Sequence, residues 1–249
     1  MKVKELKSVG NEQRYLIKET TVEFMNALRR IMTGSVPTFA ISEVTIYENN
    51  SYMFDEYLGH RLGLIPLTTD LKTYKVGETT KLMLEKNGPG MVYSGDIKST
   101  DAKVKVVNKN IPLVELKKDQ NLKIEATAEL AGGKKHVKHA PGVIAYYPLP
   151  ELHTLEDHSP ELEKAVKACP VNVLETKKGK IEFTDPYGCI LCRACVDAAP
   201  NGMDLTLSAN EFVLVLENFG QLENQEVLLK ASEIIRERAE ELEKLLKKI

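Results

Sequence analysis

Apolar positions along the chain follow two periods, and the switches between them mark out the elements. Polar and apolar residues alternate around Tyr15, Leu16 and Ile17, which predicts a short strand pair turning at Gly10-Asn11. Phe24, Met25, Leu28, Ile31 and Met32 then recur at helical spacing, so one face of a helix is apolar. Thr20 with Glu23 three positions on has the spacing of a capping box, a device worth roughly 0.5 to 2 kcal/mol. Gly34 and Pro37 stop the helix. Residues 38–47, TFAISEVTIY, are β-branched and alternating, which predicts a strand. Tyr57, Leu58, Leu62 and Ile65 share a helical face up to Pro66. Beyond it Leu82 and Leu84, Val104 and Val106, and the series Leu122, Ile124, Ala126, Ala128 and Leu130 keep period two, separated by turn clusters such as Asn87-Gly88-Pro89-Gly90. A mostly β module is therefore expected over residues 41–154, closed by Pro148 and Pro150.

The segment 155–205 changes character, and a strand follows it. Phe212, Leu214 and Leu216 on one side and Val213 and Val215 on the other predict burial of both its faces. A long helix closes the chain, with Leu228, Ala231, Ile235, Arg238, Leu242, Leu245 and Ile249 at three-four spacing, widened by Val227 and Ile234. About 25 residues of helix span roughly 37 Å. Two readings stay open: an amphipathic cap on its own sheet, or a seam whose outer part meets a partner helix. The second predicts a homo- or heterodimer through Leu228, Ala231, Ile235, Leu242 and Leu245.

Composition narrows the function classes. With 34 basic and 36 acidic residues among 249, the net charge of −2 lacks the basic excess of a free-standing nucleic-acid binder. Lys-rich stretches such as Lys134-Lys135 are a weak basis for such a module, and no sequence-specific DNA binding is expected. No apolar run reaches the roughly 18 residues of a membrane span, and the opening MKVKELKSVGNEQ has no signal-peptide core. A cytoplasmic chain without a membrane segment is the expectation. G-x-S-x-G, P-loop, G-x-G-x-x-G and H-E-x-x-H patterns are all missing, so nothing reads as catalytic.

All four cysteines fall between Cys169 and Cys195, which in a cytosolic chain points to metal chemistry. Cys189, Cys192 and Cys195 form a C-x-x-C-x-x-C run, and Cys169 precedes Pro170. Two-cluster bacterial ferredoxins use such runs twice, the fourth Cys of each ligating the other cluster. Residues 159–170, SPELEKAVKACP, superimpose without a gap on residues 189–200, CILCRACVDAAP, at an offset of 30. In that register one site keeps Cys169, Cys189, Cys192 and Cys195. The other would use Ser159, Leu162, Ala165 and Ala199, none of them a ligand. One iron-sulfur cluster is expected, [4Fe-4S] on four thiolates or [3Fe-4S] if one iron is lost. Zinc is the competing reading, although its sites usually draw on two separated C-x-x-C knuckles. With the sister site erased and no flavin or nucleotide motif present, a structural role is expected, since metal bonding supplies folding energy to a small module. The stretch VLETKKGKIEFTD fits a hairpin turning near Gly179.

His136 and His139 stand as H-x-x-H between Gly and Pro, which reads as a solvated basic loop. Glu56 and His60, at i and i+4, read as an exposed ion pair. Arg29 and Arg30 lie about 100° apart on their helix, so one edges the apolar stripe and the other faces outward. They are either a solvated helix end or an anchor for a large partner.

These motifs resemble a known family. The run Asn26-Ala27-Leu28-Arg29-Arg30-Ile31 followed by Val36-Pro37-Thr38, the run His60-Arg61-Leu62-Gly63-Leu64-Ile65-Pro66-Leu67 and the Gly133–Pro141 loop are similar to the α-like assembly subunits of multisubunit RNA polymerases. The cysteine module narrows the resemblance to the archaeal, D-type members of that family. It implies an α+β fold: a split α-like dimerisation domain of residues 1–40 and 206–249, a β-rich insertion of residues 41–154 and a ferredoxin-like insertion of residues 155–205. It also implies a non-catalytic component of DNA-directed RNA polymerase that pairs with subunit L and, with subunits N and P, forms a platform for the large catalytic subunits. Asn26, Arg29, Arg30, His60 and Arg61 would then face the large subunits. The rival from another class is a ferredoxin-type electron carrier fused to a partner-binding domain.

Overall fold

The fold was obtained as a computed structural model, which describes residues 1–6, 8 and 11–248. The expected turn at Gly10-Asn11 and the last seam position, Ile249, therefore lie wholly or partly outside the described residues. The chain forms two compact units, Met1–Lys7, Arg14–Asn26 and Ala145–Val215 in one, and Ser8–Gln13, Ala27–Ile144 and Leu216–Ile249 in the other.

In chain order the strands β1 (Lys2–Glu5) and β2 (Glu12–Lys18) are followed by the helix α1 (Val22–Gly34), β3 (Pro37–Asn49) and α2 (Asp55–Gly63). Then come β4 (Thr79–Asn87), β5 (Gly90–Tyr93), β6 (Lys98–Ser99), β7 (Pro112–Leu116), β8 (Asn121–Gly132) and β9 (Gly142–Thr154). The cysteine segment holds α3 (Glu161–Ala168), β10 (Leu174–Lys177), β11 (Lys180–Phe183) and α4 (Ala194–Ala198); β12 (Met203–Asn218) and α5 (Asn224–Leu246) complete the chain.

In the second unit, the alternation seen in the sequence becomes a sheet ordered β3-β8-β4-β6. Leu122, Ile124, Ala126, Ala128 and Leu130 of β8 all point inward, where Ala126 stands opposite Leu82 and Ile124 opposite Leu84 of β4. Phe39 of β3 pairs with Leu130 and meets the ring of Tyr74 edge-on at 5.2 Å. Leu58 and Leu62 of α2, one turn apart, are fully buried in the same core, as is Ile65. Tyr57 is not: it is 67% exposed, because on a nine-residue helix the stripe through Leu58 and Leu62 leaves it about 100° away. Gly133 is required by close approach, since a Cβ there would sit 2.2 Å from the Thr33 carbonyl oxygen.

The first unit holds β1 and most of β2, β9 and β12, in a sheet ordered β1-β2-β12-β9. Central β12 buries Phe212, Val213 and Leu214, on both faces, as its unbroken apolar run predicts. The helix α1 buries Met25, Leu28 and Met32 and half-buries Phe24 and Ile31. Its cap is one residue later than the capping-box spacing implied. Thr21 Oγ1 accepts from the Phe24 amide at 3.4 Å, whereas Thr20 is buried and its amide donates to the Asn210 carbonyl. The sheet claims Thr20, so the next hydroxyl along takes the cap.

Candidate metal centre and partner-facing surfaces

The two halves of the cysteine repeat fold differently. Glu161–Ala168 winds into a regular helix, α3, that ends with Cys169 in extended backbone. In the matching half the chain does not enter a helix until Ala194. Instead Leu191 and Arg193 take left-handed backbone, with φ of 57° and 61°, at a cost of roughly 1–2 kcal/mol each for a residue with a Cβ. Arg193 is held there by its own side chain, which donates to the Leu205 carbonyl at 3.0 Å and to Asp204 Oδ1 at 3.2 Å. Alternating handedness turns successive amides towards one concave side, a nest of the kind that cradles anions and iron-sulfur clusters. The Val196 amide donates to the Arg193 carbonyl at 2.9 Å, closing the first turn of α4.

Cys169, Cys189, Cys192 and Cys195 together line one small cavity, walled by Val173, Phe183 and Leu205. All four are free thiols; Cys169 and Cys195 are buried, Cys189 half-buried and Cys192 exposed. Burial pushes the Cys189 and Cys195 thiols above the usual range, and the neighbouring sulfurs add to the rise. Among the described residues no three His, Cys, Asp or Glu side chains converge closely enough to hold a single metal ion.

The residues that the 30-residue offset assigns to a second site lie in hydrophobic core. Leu162, Ala165 and Ala199 are buried together with Met203, Cys169 and Cys195, and Ser159 is buried beside them. The hairpin β10-β11 turns at Lys178-Gly179, as its sequence predicts. Gly179 is needed there for its φ of 80° and because a Cβ would strike the His158 ring at 2.4 Å.

The H-x-x-H loop departs from its expected solvation. His136 is exposed, but His139 is fully buried, its Nδ1–H donating to the Thr38 carbonyl at 2.9 Å while Thr38 Oγ1 donates back to the His139 carbonyl. Burial pulls its imidazole pKa down. The tight Gly-Gly approach to α1 folds this loop inward, which its charged composition did not betray.

On α1, Asn26 and Arg29 are half-buried and Arg30 is exposed. On α2, His60 and Arg61 are exposed, and Arg61 donates to the Pro112 carbonyl. Along α5, Val227 and Ala231 are buried and Leu228 and Ile235 half-buried, while Leu242, Leu245 and Leu246 are 57%, 53% and 60% exposed. No helix is long and apolar enough to cross a membrane, among the described residues.

Two anchors of the cysteine loop had no sequence signal. Arg14 and Tyr147 reach Tyr187 across separations of 173 and 40 residues, beyond any local pattern.

Known proteins place the chain. Residues 44–146 match the model of the RNA polymerase Rpb3/RpoA insert domain. The DNA-directed RNA polymerase subunit Rpo3 of Natronomonas pharaonis is 38% identical over 92% of this chain and 91% of its own length. Its counterpart in Pyrococcus furiosus is 36% identical over 93% of both chains, and that of Methanobrevibacter smithii 34% identical over 96% of both. End-to-end similarity at this level, with the insert-domain match inside it, shows that the chain belongs to the Rpo3 family of archaeal DNA-directed RNA polymerase subunits, the α-like subunits of that enzyme.

Proposed function

We propose that this polymerase subunit is a non-catalytic assembly scaffold that pairs with subunit L through α5 and, with subunits N and P, seats the large catalytic subunits. The observation that carries the reading is the outer half of α5, where Leu242, Leu245 and Leu246 are more than half exposed on a helix of 23 residues. Unpartnered apolar side chains in a row cost solubility unless another chain covers them. Arg30, His60 and Arg61, exposed on α1 and α2, supply the polar anchors for the large subunits, with Asn26 and Arg29 half-buried beside the apolar stripe.

The same reading assigns Cys169, Cys189, Cys192 and Cys195 to one [4Fe-4S] cluster, or a [3Fe-4S] form after loss of one iron. What supports it is the donor set: four free thiols lining one cavity, three of them in a C-x-x-C-x-x-C run. Bound there, the cluster supplies iron-thiolate bonds that tie the end of α3 to the 189–195 loop and α4. The protein's part is to hold the loop open in left-handed backbone at Leu191 and Arg193 and to exclude water with Val173, Phe183 and Leu205. An electron carrier is disfavoured, because the relatives that span the chain from end to end are polymerase subunits.

Anaerobic coexpression with subunit L, followed by sizing and by iron and acid-labile sulfide analysis, tests both parts. A one-to-one pair carrying equal iron and sulfide is expected. A monomer would overturn the scaffold reading; zinc without sulfide would overturn the cluster. Cys192→Ser should lower recovery of whole polymerase while sparing the pair with subunit L.

A further inference from the structure

The four thiols of the cysteine cavity are not held alike. Those of Cys169 and Cys195 are buried and that of Cys189 is half-buried, so the surrounding side chains limit where they can move, whereas Cys192 is exposed. Cys192 also has left-handed backbone on both sides, Leu191 with a φ of 57° and Arg193 with one of 61°. Neither neighbour is glycine, so this path is not a local preference of the chain and needs support from elsewhere.

Arg193 supplies such support. One terminal nitrogen of its guanidinium donates to the Leu205 carbonyl at 3.0 Å and the other to Asp204 Oδ1 at 3.2 Å. Asp204 Oδ1 also accepts from the Leu205 amide at 2.7 Å, so the two acceptors are tied to each other. Both lie at the start of β12, where buried Leu205 walls the same cavity that Arg193 lines. The ion pair with Asp204 is about half-exposed on both sides and by itself adds little. The directional bond to a carbonyl 12 residues along the chain is what fixes the cysteine loop to the strand.

We propose that Arg193 is a positioning residue, which clamps the cysteine loop to β12 and so keeps the exposed Cys192 thiol on the cavity. The inference rests on the cluster reading and adds which residue secures the ligand that packing leaves free. A planar guanidinium serves a carbonyl and a carboxylate at once, whereas a lysine ammonium keeps the charge and gives up the fork. Glycine adopts left-handed backbone at no steric cost and gives up the clamp. The two replacements thus separate the clamp from the charge and from the backbone strain.

The test uses the full chain coexpressed anaerobically with subunit L and follows the release of iron to a chelator, with acid-labile sulfide counted and EPR spectra recorded alongside. The unsubstituted pair should hold equal iron and sulfide. Arg193→Lys and Arg193→Gly should each release iron about tenfold faster, in line with the loss of a hydrogen bond from a charged donor. One iron should leave first, with sulfide retained and the EPR signature of a three-iron cluster appearing. In a Cys192→Ser background, Arg193→Gly should add nothing, because the clamp acts through that thiol. Unchanged iron release in Arg193→Gly, the unsubstituted rate in Arg193→Lys, iron and sulfide lost together, or an additive effect on top of Cys192→Ser would each overturn the inference and leave the cluster reading standing. Zinc without sulfide in the unsubstituted pair would overturn both.

Discussion

The phenol of Tyr147 donates to the main-chain carbonyl of Tyr187 at 2.8 Å, and the guanidinium of Arg14 donates to the same oxygen at 3.1 Å. Tyr187 sits in the short 3₁₀ turn Pro186–Gly188, immediately before Cys189. Two strands of the first unit's sheet, β2 and β9, thus hold the entrance to the cysteine loop. Asp185 tightens the same turn by accepting from the Tyr187 amide.

Tyr147→Phe should remove one of these bonds at constant shape, a loss of about 0.5–1.5 kcal/mol. Amide exchange at residues 188–192 should quicken, read by hydrogen–deuterium exchange, with α5 unaffected. Unchanged protection of the loop would mean that the carbonyl is held by other contacts.

In the cysteine segment, Leu162 is 1% exposed among Ala165, Ala199 and Met203. Leu162→Ala should therefore destabilise the first unit by about 2–5 kcal/mol, the cost of a cavity in a packed core. Urea denaturation followed by a probe in the cysteine segment measures it. A change below about 0.5 kcal/mol, the size of an ordinary surface substitution, would show that this site is not packed as described.

His139 lies near Lys138, Lys135 and Glu129, and burial is the largest cause of its lowered pKa. Below about pH 6.5, the unperturbed value, the unfolded chain takes up a proton that the folded chain refuses. Its contribution to stability is thus full above that pH and falls as the solution is acidified towards the folded-state value. The urea midpoint of the native chain should drop between pH 7 and pH 5.5 more steeply than that of His139→Gln. Parallel curves would contradict the burial of a neutral imidazole.

Leu242 and Leu245 touch solvent over more than half their surface. The double variant Leu242→Glu, Leu245→Glu should leave the melting temperature of the isolated chain within a few degrees, since surface changes usually stay within about 0.5 kcal/mol. Pairing with subunit L should be lost, as judged by light scattering on the coexpressed chains. Retained pairing would move the seam elsewhere.

Much was legible in the residues themselves. Period two in Leu122–Leu130 depends only on successive side chains alternating across a strand, and it appears unchanged in β8. The apolar stripe of α1, the unbroken run of β12 and the Lys178-Gly179 turn are equally local. The 30-residue offset singles out the four cysteines in the sequence, and in the structure they line one cavity. The polymerase family was legible from motifs long enough to be specific.

What the tertiary structure alone decided concerns choices among residues of equal local merit. Thr20 and Thr21 can both cap a helix; the sheet's demand for the Thr20 amide settled which does. His136 and His139 share one loop composition, yet only His139 is drawn inside, because Thr38 offers it two hydrogen bonds from 101 residues away. Tyr187 is gripped by Arg14 and Tyr147 for the same reason. Periodicity reports which face of an element is apolar, whereas partners brought together by chain crossing depend on packing and on backbone groups that every residue carries alike.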